Sequence, residues 1–258
     1  MSYYMHDIPG RLRIKTPLMK NNREVACAVE SLLLAMGGVA NVAINPTTGS
    51  CLVNYDPQKA KRDDILSALV RMSEQAPFYV FTAFVFAYAV GTLKMSRDFI
   101  LLAVMVAACV SFFTIPLAGH FSDVIGRKKM YLIGVVVMGL FGFVYFAMVD
   151  SLNPALVFLA IVLSLIPHDL QYGPQAALIA EAFTPRLRYS GASLGYQLAS
   201  IIAGGPAPLI ATYLFATYKT GFAISWYIAI LAVISFIATL MMPDYTGKAI
   251  GDEAYSED

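Results

Sequence analysis

The sequence predicts an α-helical membrane protein of six transmembrane helices preceded by a small α+β domain. Three observations carry this. Of the 258 residues, 58% are hydrophobic and only 14% are charged. The charges are unevenly placed, because residues 1–76 hold nine of the 18 Lys and Arg and seven of the 17 Asp and Glu. From Pro77 onward, apolar runs of bilayer length alternate with short polar breaks. The expected divisions are 1–76 for the α+β domain, 77–243 for the six helices and 244–258 for an acidic tail whose composition suits disorder.

Composition also excludes several classes. A net charge of +1 gives no reason to expect a nucleic-acid partner. Cys27, Cys51 and Cys109 are far apart and form no CxxC pair, which speaks against a disulfide framework or a zinc site. The first thirty residues lack the apolar core of a signal peptide, so the N-terminus is expected in the cytoplasm. Long apolar spans exclude a soluble enzyme.

In the first domain, Arg11–Lys15 alternates apolar and polar residues and reads as a strand with one wet face, ended by Pro17. From Asn21 to Met36 the positions Val25, Val29, Leu32, Leu33 and Met36 follow a helical period, stopped at Gly37-Gly38. Val39–Ile44 and Cys51–Tyr55 read as strands around the turn Asn45–Gly49. Asp63–Met72 reads as a second helix with Ile65, Leu66, Leu69 and Met72 on its buried face. Strand-helix-strand-strand-helix is most of a ferredoxin-like split βαβ unit, one strand short because the chain runs from the second helix into the membrane.

The residues Arg11-Leu12-Arg13-Ile14, Gly38-Val39 and Leu52–Pro57 resemble the heavy-metal-associated domain family over roughly residues 8–70. The resemblance fails where that family's chemistry lives. Its metal-binding cysteine pair would fall near Asn22 and Val25, neither of which offers a thiolate to a soft metal. Cys27 is expected to be a small buried helix residue, and His6 a lone residue on a mobile end. No metal and no cofactor are expected.

Six spans follow. Phe78–Thr92 covers only about 23 Å at 1.5 Å per residue, less than the hydrocarbon thickness. The others are Phe99–Leu117, Met130–Val149, Ala155–Phe183, Gly191–Ala216 and Phe222–Met242. Arg127, Lys128, Lys129, Arg186 and Arg188 fall in one set of connections, and Lys94, Arg97 and Lys219 in the other. That bias favours cytoplasmic N- and C-termini. Trp226, Tyr227, Tyr213 and Tyr218 near helix ends are expected interface anchors.

Two stretches carry chemistry. Between the second and third spans lies Gly119-x-x-x-Asp123-x-x-Gly126-Arg127-Lys128-Lys129. Gly119 allows close approach to a neighbouring helix, Gly126 a tight turn, and Asp123 lies one helical turn from Arg127. The fourth span carries Pro167, His168, Asp169, Gln171, Tyr172, Gly173, Pro174 and Gln175. Titratable and amide groups in an apolar run face protein or a wet cavity. His168 takes and returns a proton near neutral pH, and Asp169 can pair with it. Gln171, Tyr172 and Gln175 can hydrogen-bond a polar solute, while the prolines break or kink the helix. The other reading of this seam is glue between helices. Glu181, close to Arg186 and Arg188, reads first as a gate or topology clamp. In the fifth span Gly204-Gly205-Pro206-Ala207-Pro208 marks a bend.

The Gly119–Lys129 spacing resembles the signature loop of the major facilitator superfamily of transporters. Tyr172–Ala177, Arg188–Gln197 and Pro243–Lys248 resemble its metabolite:proton symporter group. The resemblance covers about residues 77–250 and corresponds to the C-terminal six-helix half. It implies proton-coupled symport of a small organic acid or related metabolite in the inner membrane. His168 and Asp169 would handle the proton, with Glu181 a further candidate, and Gln171, Tyr172, Gln175 and Gln197 would line the substrate path. Gly119, Asp123, Gly126, Arg127, Lys128, Arg186 and Arg188 would form the gating loop. It also implies lipid, substrate and proton as partners, with a homodimer or a separate N-terminal half to enclose the site. A membrane scaffold or sensor, with the soluble domain as its working end, stays open beside it.

Overall fold

Alternating side chains and one polar turn build the sheet of the first unit. The computed structural model describes residues 4–8, 10–15, 23–34, 39–55, 62–181, 196–197 and 200–242. Contacts separate the chain into two compact units, Met1–Leu66 and Ser67–Asp258. The division lies inside a helix, whereas the charge distribution places it after 76.

In the first unit, β1 (Tyr4–Ile8), β2 (Arg11–Lys15), β3 (Val39–Asn45) and β4 (Ser50–Tyr55) form an antiparallel sheet in the order β1-β2-β4-β3, and α1 (Arg23–Leu34) packs on β3. Leu12, Val53 and Val42 face one another across β2, β4 and β3 and are all buried, which makes the dry face of the sheet. The turn after β3 is held by Asn45, whose Oδ1 accepts from the backbone N–H groups of Thr47 and Thr48 at 3.0 and 3.2 Å.

Three expectations are corrected here. A fourth strand is present. It comes from the front of the chain as β1, pairing with β2 through a tight hairpin at Gly10, rather than from beyond the second helix. His6 therefore sits in a strand opposite Arg13. Cys27 is exposed on α1, and Cys51, on β4, is the buried thiol.

The second unit is helical. α2 (Arg62–Tyr79) carries the chain across the division and is followed by π-helical turns at Val80–Phe84 and Ala87–Thr92. Pro77 lies inside α2, not at the start of a new element. Then come α3 (Arg97–Ile125), α4 (Arg127–Val149), α5 (Pro154–Glu181), π-helical Ser200–Gly204, α6 (Ala207–Tyr218) and α7 (Phe222–Met241). Among the described residues, α3, α4, α5 and α7 are long and apolar enough to cross a membrane, and α6 is a shorter apolar helix. The expected fifth span is interrupted at Gly205-Pro206, where α6 begins.

α5 is the hub, packed on α3 and on α4, while α4 also packs on α7. It runs unbroken through Pro167 and Pro174, so of the expected break or kink the break is absent. The expected loop between the second and third spans is also absent. α3 and α4 meet at a single residue, Gly126, whose φ of +104° suits glycine alone.

Candidate functional site

Polar side chains on four helices converge around α5. His168 and Asp169 stand at the middle of its 28 residues, 6% and 1% exposed. The His168 imidazole is bracketed by oxygen on both sides, with Nδ1 3.0 Å from Asp169 Oδ1 and Nε2 3.0 Å from Glu74 Oε1. Glu74 comes from α2 and is 2% exposed. Its second oxygen accepts from Gln175 Nε2 at 3.0 Å. Thr114 of α3 donates to Asp169 Oδ2. The imidazole stacks on Tyr172, centroids 5.2 Å apart, and lies against Phe78.

A neutral imidazole donates through one nitrogen and accepts at the other. With a carboxyl oxygen at each nitrogen, both contacts are satisfied only if the ring is an imidazolium or one carboxyl carries a proton. With both contacts satisfied, the trio Glu74–His168–Asp169 has room for one proton more than two carboxylates and a neutral ring. Losing that proton leaves one contact between two acceptors, across either the α2–α5 junction or the α5 turn.

A second set of bonds stitches α2 into the bundle. Ser73 Oγ donates to Gln171 Oε1 at 2.6 Å, and Gln171 Nε2 donates to Pro167 O at 3.2 Å. Ser235 Oγ of α7 accepts from Ser73 N at 2.9 Å and donates to Leu69 O at 2.8 Å. Tyr131 of α4 donates to Val70 O at 2.8 Å. Gln171 thus serves the packing of α2 on α5.

The other expected residues fall elsewhere. Gln197 is exposed, while its neighbour Tyr196 offers its ring to the Arg71 guanidinium, 4.5 Å from the centroid. Glu181 ends α5, roughly 18 Å along the helix from Asp169, and pairs with Arg127. Arg127 also holds Asp123 at 2.9 Å. The two sites are separate, with the proton trio at mid-helix and the ion pairs at the α3–α4 joint. Lys128 donates to Leu240 O and Met242 O at 2.9 and 2.6 Å, capping α7. Arg186 and Arg188 lie outside the described residues.

Sequence reasoning missed Arg71, Ser73, Glu74, Thr114 and Ser235. From Ser67 to Pro77 every residue of α2 is buried, polar ones included. The available signal was Arg71-x-x-Glu74 in a helix with no stop before Thr92. Among the described residues, no three His, Cys, Asp or Glu gather as a metal would require. Burial first, and Glu30 second, push the Cys51 thiol up to about 12, so it offers no thiolate near neutral pH.

Long apolar helices around a buried polar cluster are the architecture of a polytopic membrane protein. Residues 65–251 match the Major Facilitator Superfamily, and the chain belongs to that superfamily. Residues 4–75 match the Heavy metal associated domain 2 family, so the two matches overlap in α2, on the segment that supplies Arg71, Ser73 and Glu74.

An inner membrane metabolite transport protein of Escherichia coli is 32% identical over 71% of the chain and 42% of its own length. The Escherichia coli shikimate transporter is 30% identical over 74% of the chain and 47% of its own length. The Escherichia coli alpha-ketoglutarate permease is 30% identical over 64% of the chain and 38% of its own length. The chain spans about half the length of the curated relatives it matches. No solved structure matches it.

Proposed function

We propose that the chain transports a small organic acid or related metabolite together with a proton. The observation that carries this is the imidazole of His168 held between Glu74 and Asp169, at 3.0 Å on each side. A proton stored there joins α2 to α5, and its loss leaves two acceptors facing each other at one contact. A symporter needs such an element, whose packing depends on whether the proton is bound. Relatives named for shikimate and alpha-ketoglutarate support an organic acid as the solute. Tyr172, partly exposed beside His168, and Gln175, bonded to Glu74, sit where a solute sharing the site would be felt. In this reading the solute is enclosed against a second six-helix unit, supplied by a second copy of the chain or by another polypeptide. The ion pairs of Arg127 with Asp123 and Glu181 act as the gate at one end.

The test is uptake of labelled shikimate and alpha-ketoglutarate into vesicles of the native membrane under an imposed proton gradient. Asp169→Asn and Glu74→Gln each keep shape and remove a titrating group. Each is expected to abolish accumulation while leaving solute exchange measurable. His168→Gln is expected to reduce coupling less severely. Full accumulation by the Glu74→Gln/Asp169→Asn double variant would show that the trio only glues helices and that the proton travels elsewhere.

A further inference from the structure

We propose that Arg71 is the anchor for the carboxylate of the transported solute, which makes this a site for one planar, singly charged carboxylate. The inference rests on the symport reading and adds to it the solute's charged group and the residue that holds it.

Arg71 is 3% exposed, and its Nε and Nη1 are buried with no hydrogen-bond partner among the described residues. A guanidinium has five N–H donors and no acceptor, so a buried one with open donors is a cation waiting for an anion. The nearby carboxylate makes its bonds to other groups. Glu74, one turn along α2, has Oε1 committed to His168 and Oε2 to Gln175. Among the described residues, the other groups felt by the guanidinium are the phenols of Tyr131, Tyr172 and Tyr196. Tyr131 spends its hydroxyl proton on Val70 O. Tyr196 covers a face of the guanidinium and leaves its edge for a ligand. Tyr172 and Tyr196 are both partly exposed, so the donors are buried yet lie beside residues that reach the surface.

Charge selects the ligand. Before loading, Arg71 and a neutral His168 against Glu74 and Asp169 sum to −1. Adding one carboxylate and one proton, taken up by the trio, keeps that sum unchanged, as coupled loading of acid and proton requires. A doubly charged sulfate or phosphate breaks it. Shape agrees, because a planar carboxylate meets the in-plane N–H groups of a guanidinium whose face is already taken.

The experiment measures binding to the detergent-purified full chain, by calorimetry and by the shift in unfolding temperature. The probes are the singly charged acids shikimate and benzoate, shikimate methyl ester and sulfate. At least one acid is expected to bind, with the ester and sulfate at least tenfold weaker. Arg71→Met is expected to weaken acid binding at least tenfold while its ligand-free unfolding temperature stays equal or rises, since the lost cation had open donors. A merely structural arginine would lower that temperature. Should Arg71→Met not fold, Arg71→Lys decides, because it keeps the charge and loses the fork. A tenfold loss there supports the anchor, and unchanged binding overturns it. The proposal is also overturned if no acid binds, if ester or sulfate binds as well as the acid, or if Arg71→Met binds within twofold of the parent. Arg71-dependent binding without proton-driven uptake would sink symport alone. Proton-driven uptake that ignores Arg71 would sink the anchor alone.

Discussion

Cys51 and Cys27 show how far single residues can be read. Cys51 is buried on β4 beside Glu30, and both effects disfavour its thiolate. The sign is that of a raised pKa. The thiol form is the stable one in the folded unit, so this contribution is intact below about 9, the ordinary value. It is lost as pH rises from there toward about 12. At pH 8 an alkylating reagent followed by mass spectrometry should modify exposed Cys27 rapidly and Cys51 only after unfolding. Above pH 9, Cys51 should begin to react, and Cys51→Ala should flatten the alkaline fall in stability of the first unit. Equal rates for the two thiols at pH 8 would refute the burial. Burial was expected of Cys27, although it lies two residues, or about 200°, from both Val25 and Val29 on the apolar stripe, a spacing that points away from the sheet. Arg71 and Glu74 were not legible in that way. Their side chains look like solvated charges on a domain-sized helix, and only the packing of α4, α5 and α7 on α2 turns them inward.

The helices were found largely where hydropathy puts them, but the joints between them were not. Periodicity finds apolar faces and says little about backbone continuity, so a proline in a run looks like a boundary. α2 and α5 continue through Pro77, Pro167 and Pro174. Likewise the basic stretch at Arg127 looks like a loop, yet only Gly126 is non-helical there. Gly119 was given the close helix contact from its place in the motif. The tight fit belongs to its partner, Gly173. A methyl on Gly173 would lie 2.8 Å from Gly119 N and 2.9 Å from Ile115 O, whereas one on Gly119 would meet Gly173 O at 3.9 Å. Gly173→Ala should push α3 from α5 next to the Thr114–Asp169 bond, at about 1–3 kcal/mol. Gly119→Ala should leave that packing intact. Thermal unfolding of the two variants checks this, and equal losses would argue against the asymmetry.

For the whole molecule, the division into a sheet unit and a helical unit is written in the distribution of charge. The contact division falls ten residues before the expected boundary at 76, inside α2, which belongs to both family matches. Orientation across the bilayer is expected from the cations at Arg127–Lys129, which place the α3–α4 joint in the cytoplasm. Ser122, the natural reporter in that joint, is buried against Gly119 O, so exposed Lys129 is the better probe. In a chain with Cys27 and Cys109 replaced by serine, Ser151→Cys should react with an impermeant thiol reagent from outside intact cells, and Lys129→Cys should not. The opposite labelling would invert the topology. β1 supplies the edge neighbour of β2 from upstream, so among the described residues the sheet draws no strand from the polypeptide beyond α2. A sheet wired in this order is closed before α2 begins, which leaves that helix free to be shared with whatever follows it.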